Sequence, residues 1–194
     1  MALARLIRRL SEALITVERL ALMALVAAVA VLVLLNVGGR AVGITLAWAD
    51  ELAILSMVLA AFIGAALMLR ARIDPAVLIL HEVLPTRVVA ILRGAVSVVS
   101  LGFGLALVWM CWRWLDPAGL IASGFDVPEF EMTRFNFVYT EVTSVLGLPF
   151  WWFYLVMPWF GVSVSLHALA NLTEDLRLSP PRALDAELRG EGPP

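Results

Sequence analysis

The chain has 194 residues, 62% of them hydrophobic and 15% charged, with 14 basic residues against 16 carboxylates and a formal charge of −2. Its mean hydropathy is +0.94. Soluble domains are about 45–50% apolar, so this composition excludes an ordinary water-soluble domain, and the small charge excludes a nucleic-acid binder. Every basic residue is Arg, the single Cys111 excludes an intrachain disulfide, and two separated histidines make no zinc pattern.

Four apolar stretches organise the sequence: Leu20–Val37, Leu52–Leu69, Val88–Trp114 and Leu146–Leu169. Each reaches the about 18–20 residues that a helix needs to cross a hydrocarbon core of about 30 Å. The expected fold is an all-α integral membrane protein with four transmembrane helices at about 15–37, 48–70, 87–114 and 146–170. Together they form one membrane domain over 1–175, followed by a flexible cytoplasmic tail over 176–194.

Ahead of the first span, Leu3, Leu6, Ile7, Leu10 and Leu14 share one helical face, and Arg5, Arg8, Arg9 and Glu12 take the other. This suits an amphipathic helix on the cytoplasmic interface. It suits equally a charged lead-in continuous with the span. The apolar stretch is long, and Asn36-Val37-Gly38-Gly39-Arg40 is a poor cleavage site, so the segment reads as a retained span and not as a signal peptide. Glu18 and Arg19 are expected at the inner end of span 1, where they stay hydrated. Asn36 lies near its other end.

Trp48 opens span 2, followed by Asp50 and Glu51, whose charges suit a helix N-terminus. Ala49, Ala53, Ser56, Ala60 and Gly64 form a narrow small-residue face in that span. Gly94, Ser97 and Gly104 do so in span 3, and Gly161, Ser165 and Ala168 in span 4. Such stripes let membrane helices approach closely, either inside this bundle or against a helix of another protein. Between spans 2 and 3, Pro75–Leu84 is too short to cross and reads as a second interfacial helix. Arg93, inside span 3, can snorkel to the cytoplasmic surface.

The connection over 115–145 contains Pro117, Gly119, Gly124 and Pro128 and is rich in aromatic residues. A loop of this length with such aromatic content is expected to fold into a cap or a docking surface. Pro149 is expected in the first turn of span 4, and Pro158 should bend that span by removing a backbone donor. His81 and His167 read as polar anchors.

Arg side chains alternate across the spans. Arg5, Arg8, Arg9 and Arg19 precede span 1, Arg70, Arg72, Arg87 and Arg93 lie around the second connection, and Arg177, Arg182 and Arg189 follow span 4. The positive-inside rule therefore places both termini in the cytoplasm. Trp48, Trp112, Trp114, Trp151 and Trp152 gather at the opposite boundary, as interfacial aromatic rings should. The outer connection is acidic through Asp116, Asp126, Glu129, Glu131 and Glu141. No phosphate loop, catalytic set, metal cluster or cofactor motif is present in the sequence, and no pair of broken helices marks a transport site. The residues by themselves describe a non-enzymatic four-helix membrane protein built to pack.

Four local patterns resemble the small membrane subunit (DctQ-type) of the tripartite ATP-independent periplasmic (TRAP) transporters. They are Asn36, Arg40 and Trp48-Ala-Asp50-Glu51-Leu; Gly64-Ala-Ala running to Arg70; Leu84-Pro85 with Arg87; and Gly147-Leu-Pro149-Phe-Trp151-Trp152 running to Pro158. Two departures stand out: Arg72-Ile73-Asp74-Pro75 replaces the family's His-Ile-x-Val-Asp, and the outer connection is longer than the family norm. The resemblance implies a scaffold subunit of a sodium-coupled importer of organic acids in the bacterial inner membrane, with no cofactor. Its implied partners are the large elevator subunit (DctM-type), a periplasmic substrate-binding protein and membrane lipid, with no nucleic acid. Asn36, Arg40, Trp48, Asp50, Glu51, Gly64, Arg70, Pro149, Trp151, Trp152 and Pro158 then become candidates for positioning or interface roles. Asp126, Glu129 and Glu131 become candidates for docking the binding protein. The alternatives are the small subunit of a tripartite tricarboxylate transporter and a self-sufficient homo-oligomeric channel or small transporter.

Overall fold

The computed structural model describes residues 2–72, 85–176 and 178. Among these residues the chain is helical throughout, apart from turns and one isolated antiparallel bridge between Val142 and Pro149. The helices are α1 (Ala2–Ala41), α2 (Ala47–Ala71), α3 (Thr86–Leu115), α4 (Pro117–Ala122), α5 (Val127–Arg134), α6 (Trp151–Tyr154) and α7 (Val156–Asp175). Four helical stretches are long and apolar enough to cross a membrane: α1, α2, α3, and α6 with α7. The expected interfacial helix at Pro75–Leu84 and most of the tail lie outside the described residues.

Helix boundaries follow the breakers. No Gly or Pro occurs between Ala2 and Val37, so α1 runs unbroken and the lead-in is continuous with span 1. It ends in a turn where the Gly39 carbonyl accepts from the Val42 and Ile44 N–H groups and Gly43 adopts φ +79°. Pro158 has no N–H to offer the preceding turn, and the last span is divided there into α6 and α7, with Leu155 between them. Pro149 lies outside the first turn where it was expected. It pairs with Val142 in the bridge, and its carbonyl accepts from the Trp152 N–H at 3.3 Å. With no N–H of its own to satisfy, proline suits a position just outside a helix as well as its first turn.

The chain divides into two compact units. The first takes Met1–Leu20, Ile63–Ala106 and Phe160–Pro194. In it, α1 buries Ala4, Ser11, Ile15 and Glu18, while Leu3, Leu6 and Leu10 are exposed. The packed face of the lead-in is therefore its small and polar side and not its leucine side. Close approach of α3 and α7 fixes a second contact. A Cβ built on Gly104 would lie 2.5 Å from Ser165 Oγ and 2.9 Å from the Gly161 carbonyl oxygen. Gly104 of the span 3 stripe and Gly161 and Ser165 of the span 4 stripe are thus used here, inside the chain. Phe103 and Phe160 meet edge to face beside them, at 6.5 Å.

The second unit takes Ala21–Phe62 and Leu107–Trp159. Its connection folds as a cap. Asp116 and Asp126 are the N-caps of α4 and α5, accepting from the N–H groups of Gly119 at 3.0 Å and Glu129 at 3.1 Å. A proline in each first turn supports these starts. Phe130 of α5 is fully buried and meets Tyr139 edge to face at 5.5 Å. The last turn of α3 leaves carbonyls without helical donors. Asn136 Nδ2 donates to the Trp114 carbonyl and Tyr139 Oη to the Leu115 carbonyl, both at 2.7 Å. Burial, and after it the Asp116 carboxylate, push the Tyr139 phenol above its ordinary pKa of 10, which keeps it a donor.

Candidate functional site

The first unit contains a buried polar network built on four helices. Arg70, near the end of α2, is 2% exposed. Its Nε donates to Ser11 Oγ of α1 at 3.1 Å, and its terminal nitrogens donate to Asn171 Oδ1 and Glu174 Oε1 of α7, each at 2.6 Å. Ser11 Oγ is 2.8 Å from His167 Nδ1, and His167 Nε2 is 3.0 Å from Glu18 Oε2. The second Glu18 oxygen accepts from the Ser163 hydroxyl. Glu18 and His167 are 1% and 0% exposed.

Arg72 extends the network. It takes φ 54° just past α2, donates to Asp175 at 2.7 Å and to the Asn171 carbonyl at 2.8 Å, and Ser97 of α3 donates to Asp175 at 3.2 Å. Asn171 Nδ2 returns to the Leu69 carbonyl at 2.9 Å, an acceptor in the last turn of α2. The network thus joins α1, α2, α3 and α7, and its arginines face carboxylates within bonding distance. An ion pair as buried as Arg70–Glu174 is sustained only when its remaining donors and acceptors are also satisfied; here Ser11 and Asn171 take the remaining Arg70 donors.

Hydration was expected for Glu18, and the structure places it elsewhere. Ser11, Ile15 and Glu18 fall on one helical face through spacings of four and three, so the face that buries Ser11 also buries Glu18. His167, read as a polar anchor, bridges Glu18 and Ser11.

The second unit gathers most of the sequence-derived candidates. Asn36 of α1 donates to Asp50, and Arg40 reaches the other Asp50 oxygen at 3.1 Å. The Asn36 carbonyl oxygen is buried without a hydrogen-bond partner among the described residues. Glu51 accepts from the backbone N–H groups of Val145 at 3.1 Å and Leu146 at 2.9 Å. These donors sit in a tight turn closed by Thr143, whose N–H reaches the Leu148 carbonyl at 2.8 Å, with Gly147 at φ +64°. Trp151 packs against Tyr139 at 6.1 Å and Trp152 at 6.2 Å. Trp48 and Trp152 are exposed. Gly64 and Arg70 belong to the first unit, so the candidates do not form one site. Of the acidic candidates on the cap, Asp126 is engaged as a helix cap and Glu131 accepts from the Thr140 hydroxyl, while Glu129 is exposed.

Sequence reasoning identified Arg70 by motif and missed Ser11, Glu18, His167, Asn171, Glu174 and Asp175 as a group. The available signal was polar spacing: Ser11 and Glu18 lie seven apart, and Ser163, His167, Asn171 and Glu174 follow at steps of four, four and three. Among the described residues no group of three metal-ligating side chains occurs.

The family model for the DctQ component of tripartite ATP-independent periplasmic transporters matches residues 29–178. The chain belongs to that family. It is a small membrane subunit of a TRAP transporter, a multi-pass membrane protein, and its family is a transporter component. No curated protein and no solved structure matches it.

Proposed function

We propose that this DctQ-type subunit is a fixed scaffold in a sodium-coupled, binding-protein-dependent importer of organic acids. In this reading it sits in the bacterial inner membrane with both termini cytoplasmic. A DctM-type subunit beside it holds the substrate and sodium sites, and a periplasmic binding protein docks on the outer side. The observation that supports the scaffold role most is the internal saturation of the buried polar network in the first unit. Arg70 is bonded to Ser11, Asn171 and Glu174, and Glu18 to Ser163 and His167. A carrier must offer its intramembrane polar groups to a cargo and release it again. Groups whose donors and acceptors are already engaged within the chain serve rigidity instead.

The test is affinity purification of the tagged chain from its native membrane in mild detergent, with mass spectrometry of the co-eluting proteins, followed by uptake in proteoliposomes. A stoichiometric large polytopic subunit, and uptake that requires this chain, sodium and a binding protein, support the reading. A stable oligomer of this chain alone would overturn it and favour the channel alternative.

A further inference from the structure

The cap of the second unit carries two exposed phenylalanines beside the end of a span. Phe135, the residue that caps α5, is 81% exposed, the highest value of any large hydrophobic side chain among the described residues, and Phe137 is 56% exposed. Phe135 also takes φ +52°, in the left-handed region, and its N–H closes α5 by donating to the Glu131 carbonyl at 2.8 Å. Glycine is the usual residue at such a helix end, because a Cβ is strained there. The ring thus strains the backbone, and so exposed a ring gains little from packing within the chain. The fold of the cap does not account for it.

We propose that Phe135 and Phe137 anchor the cap to the membrane, their rings entering the boundary between headgroups and acyl chains around the end of α3. The residue between them fixes their depth. Asn136 Nδ2 donates to the Trp114 carbonyl at 2.7 Å, and Tyr139 Oη donates to the Leu115 carbonyl at 2.7 Å. Trp114 and Leu115 are the last two residues of α3. No charged residue occurs between Arg93 and Arg113, and Asp116 follows soon after, so the hydrocarbon-covered part of α3 ends at this turn. Trp112 of the same turn is 61% exposed, as an interfacial ring should be. A bilayer of about 40–45 Å around a hydrocarbon core of about 30 Å leaves an interfacial zone of about 5–8 Å on each side. Phe135 and Phe137 are each one Cα step, about 3.8 Å, from Asn136, which sets both rings at that zone. Lipid is already present at this depth, whereas a water-soluble partner would have to reach the bilayer surface to cover them. Phenylalanine also has no polar tip to keep in water, unlike tyrosine or tryptophan. The inference rests on α3 crossing the membrane, and not on which side the cap faces or on any role in transport.

The test uses the full-length chain in phosphatidylcholine vesicles. Phe135→Cys, Phe137→Cys and, for comparison, the exposed Glu129→Cys are made on a Cys111→Ser background and labelled with a nitroxide. Collision rates are measured with oxygen, which concentrates in lipid, and with a neutral nickel chelate supplied in water on both sides of the membrane. At Phe135 and Phe137 the oxygen rate should exceed the nickel rate, and at Glu129 the order should reverse. Aqueous readings at Phe135 and Phe137 that match Glu129 would overturn the proposal and leave a protein partner as the occupant of the patch. In detergent, Phe135→Gly should melt at or above the wild type, because glycine accepts this φ without strain; a lower melting point would show that the ring serves the fold of the cap and would count against an anchor. If the cysteine variants do not fold, wild-type chain is photo-crosslinked in vesicles that contain phosphatidylcholine with a diazirine on an acyl carbon next to the glycerol. Adducts at Phe135 or Phe137 support the anchor, and adducts confined to the spans refute it.

Discussion

Glu18 and His167 are 149 positions apart in the chain, yet Glu18 Oε2 and His167 Nε2 are 3.0 Å apart, with neither side chain reaching solvent. The contact ties the first half of α1 to the middle of α7. Because Ser11 touches both His167 and Arg70, it belongs to the same hydrogen-bonded system as the Arg70–Glu174 ion pair. Each member is kept from water by its neighbours, so removing one leaves the others unsatisfied.

Glu18→Leu should therefore destabilise the chain by about 1–3 kcal/mol, the usual consequence of leaving a buried hydrogen-bonding partner unsatisfied. His167→Leu should do the same. The double variant should lose much less than the sum, because neither partner is then left alone. Thermal melting of the four proteins in one detergent gives the coupling directly. Strict additivity would show that the two side chains do not interact.

Arg70→Lys tests the geometry of the clamp and not only its charge. A lysine ammonium can meet Glu174, but it has no planar fork to reach Ser11, Asn171 and Glu174 together. The expected loss is about 1.5–3 kcal/mol, the value of one hydrogen bond to a charged group, seen as a lower melting point and faster proteolysis within α7. A melting point equal to the wild type would show that charge alone suffices.

How far the sequence revealed this arrangement depended on which rule applied. Hydropathy and helix length located the spans because in lipid the backbone must bond within each segment, and α2 and α3 end within a residue or two of the expected limits. The lead-in was harder. Leu3, Leu6 and Leu10 make an evident apolar face, and in water such a face turns inward, but here they are exposed while Ser11 and Glu18 are buried. In a chain that spans a membrane, exposed leucines carry no penalty wherever hydrocarbon covers them, whereas buried polar groups need partners. The identity of those partners lies in long-range pairing, which periodicity does not encode. Asp50 and Glu51 were read as charges suited to a helix N-terminus. Their further bonds, to Asn36 and Arg40 and to the turn at Val145–Leu146, emerge only once the chain is folded.

Gly104 should be the least tolerant of the glycines on α3. Gly104→Leu would force its side chain into Ser165 and the Gly161 carbonyl, whereas Gly102 has no such neighbour within 4 Å. Overpacking of this kind costs about 1–3 kcal/mol. Gly102→Leu, matched in helix propensity, should leave the melting point unchanged or raised. Equal effects at the two positions would show that α3 and α7 do not pack closely through Gly104.

Glu51→Ala should loosen the turn before α6. Without the carboxylate, the N–H groups of Val145 and Leu146 lose their acceptor. Hydrogen exchange at these two amides should accelerate, with little change at Phe130, whose N–H is bonded to the Asp126 carbonyl in α5. Unchanged exchange at Val145 and Leu146 would remove Glu51 from any positioning role.

The cap offers the sharpest test of docking, provided that its own fold is spared. Reversing Asp126 would remove the cap of α5, and reversing Glu131 alone would disturb its bond to Thr140. Glu129 is exposed and its carboxylate is not used as the helix cap, so Glu129→Arg is the first substitution to make, followed by the Glu129→Arg/Glu131→Arg pair. If the acidic surface of the cap receives the binding protein, uptake in proteoliposomes should slow at limiting binding-protein concentration and recover at saturating concentration. Lost charge complementarity acts mainly on the rate of encounter. Co-purification with the large subunit should be unchanged, and the wild-type rate should fall as salt is raised. Uptake kinetics identical to wild type at every binding-protein concentration would exclude Glu129 and Glu131 from docking.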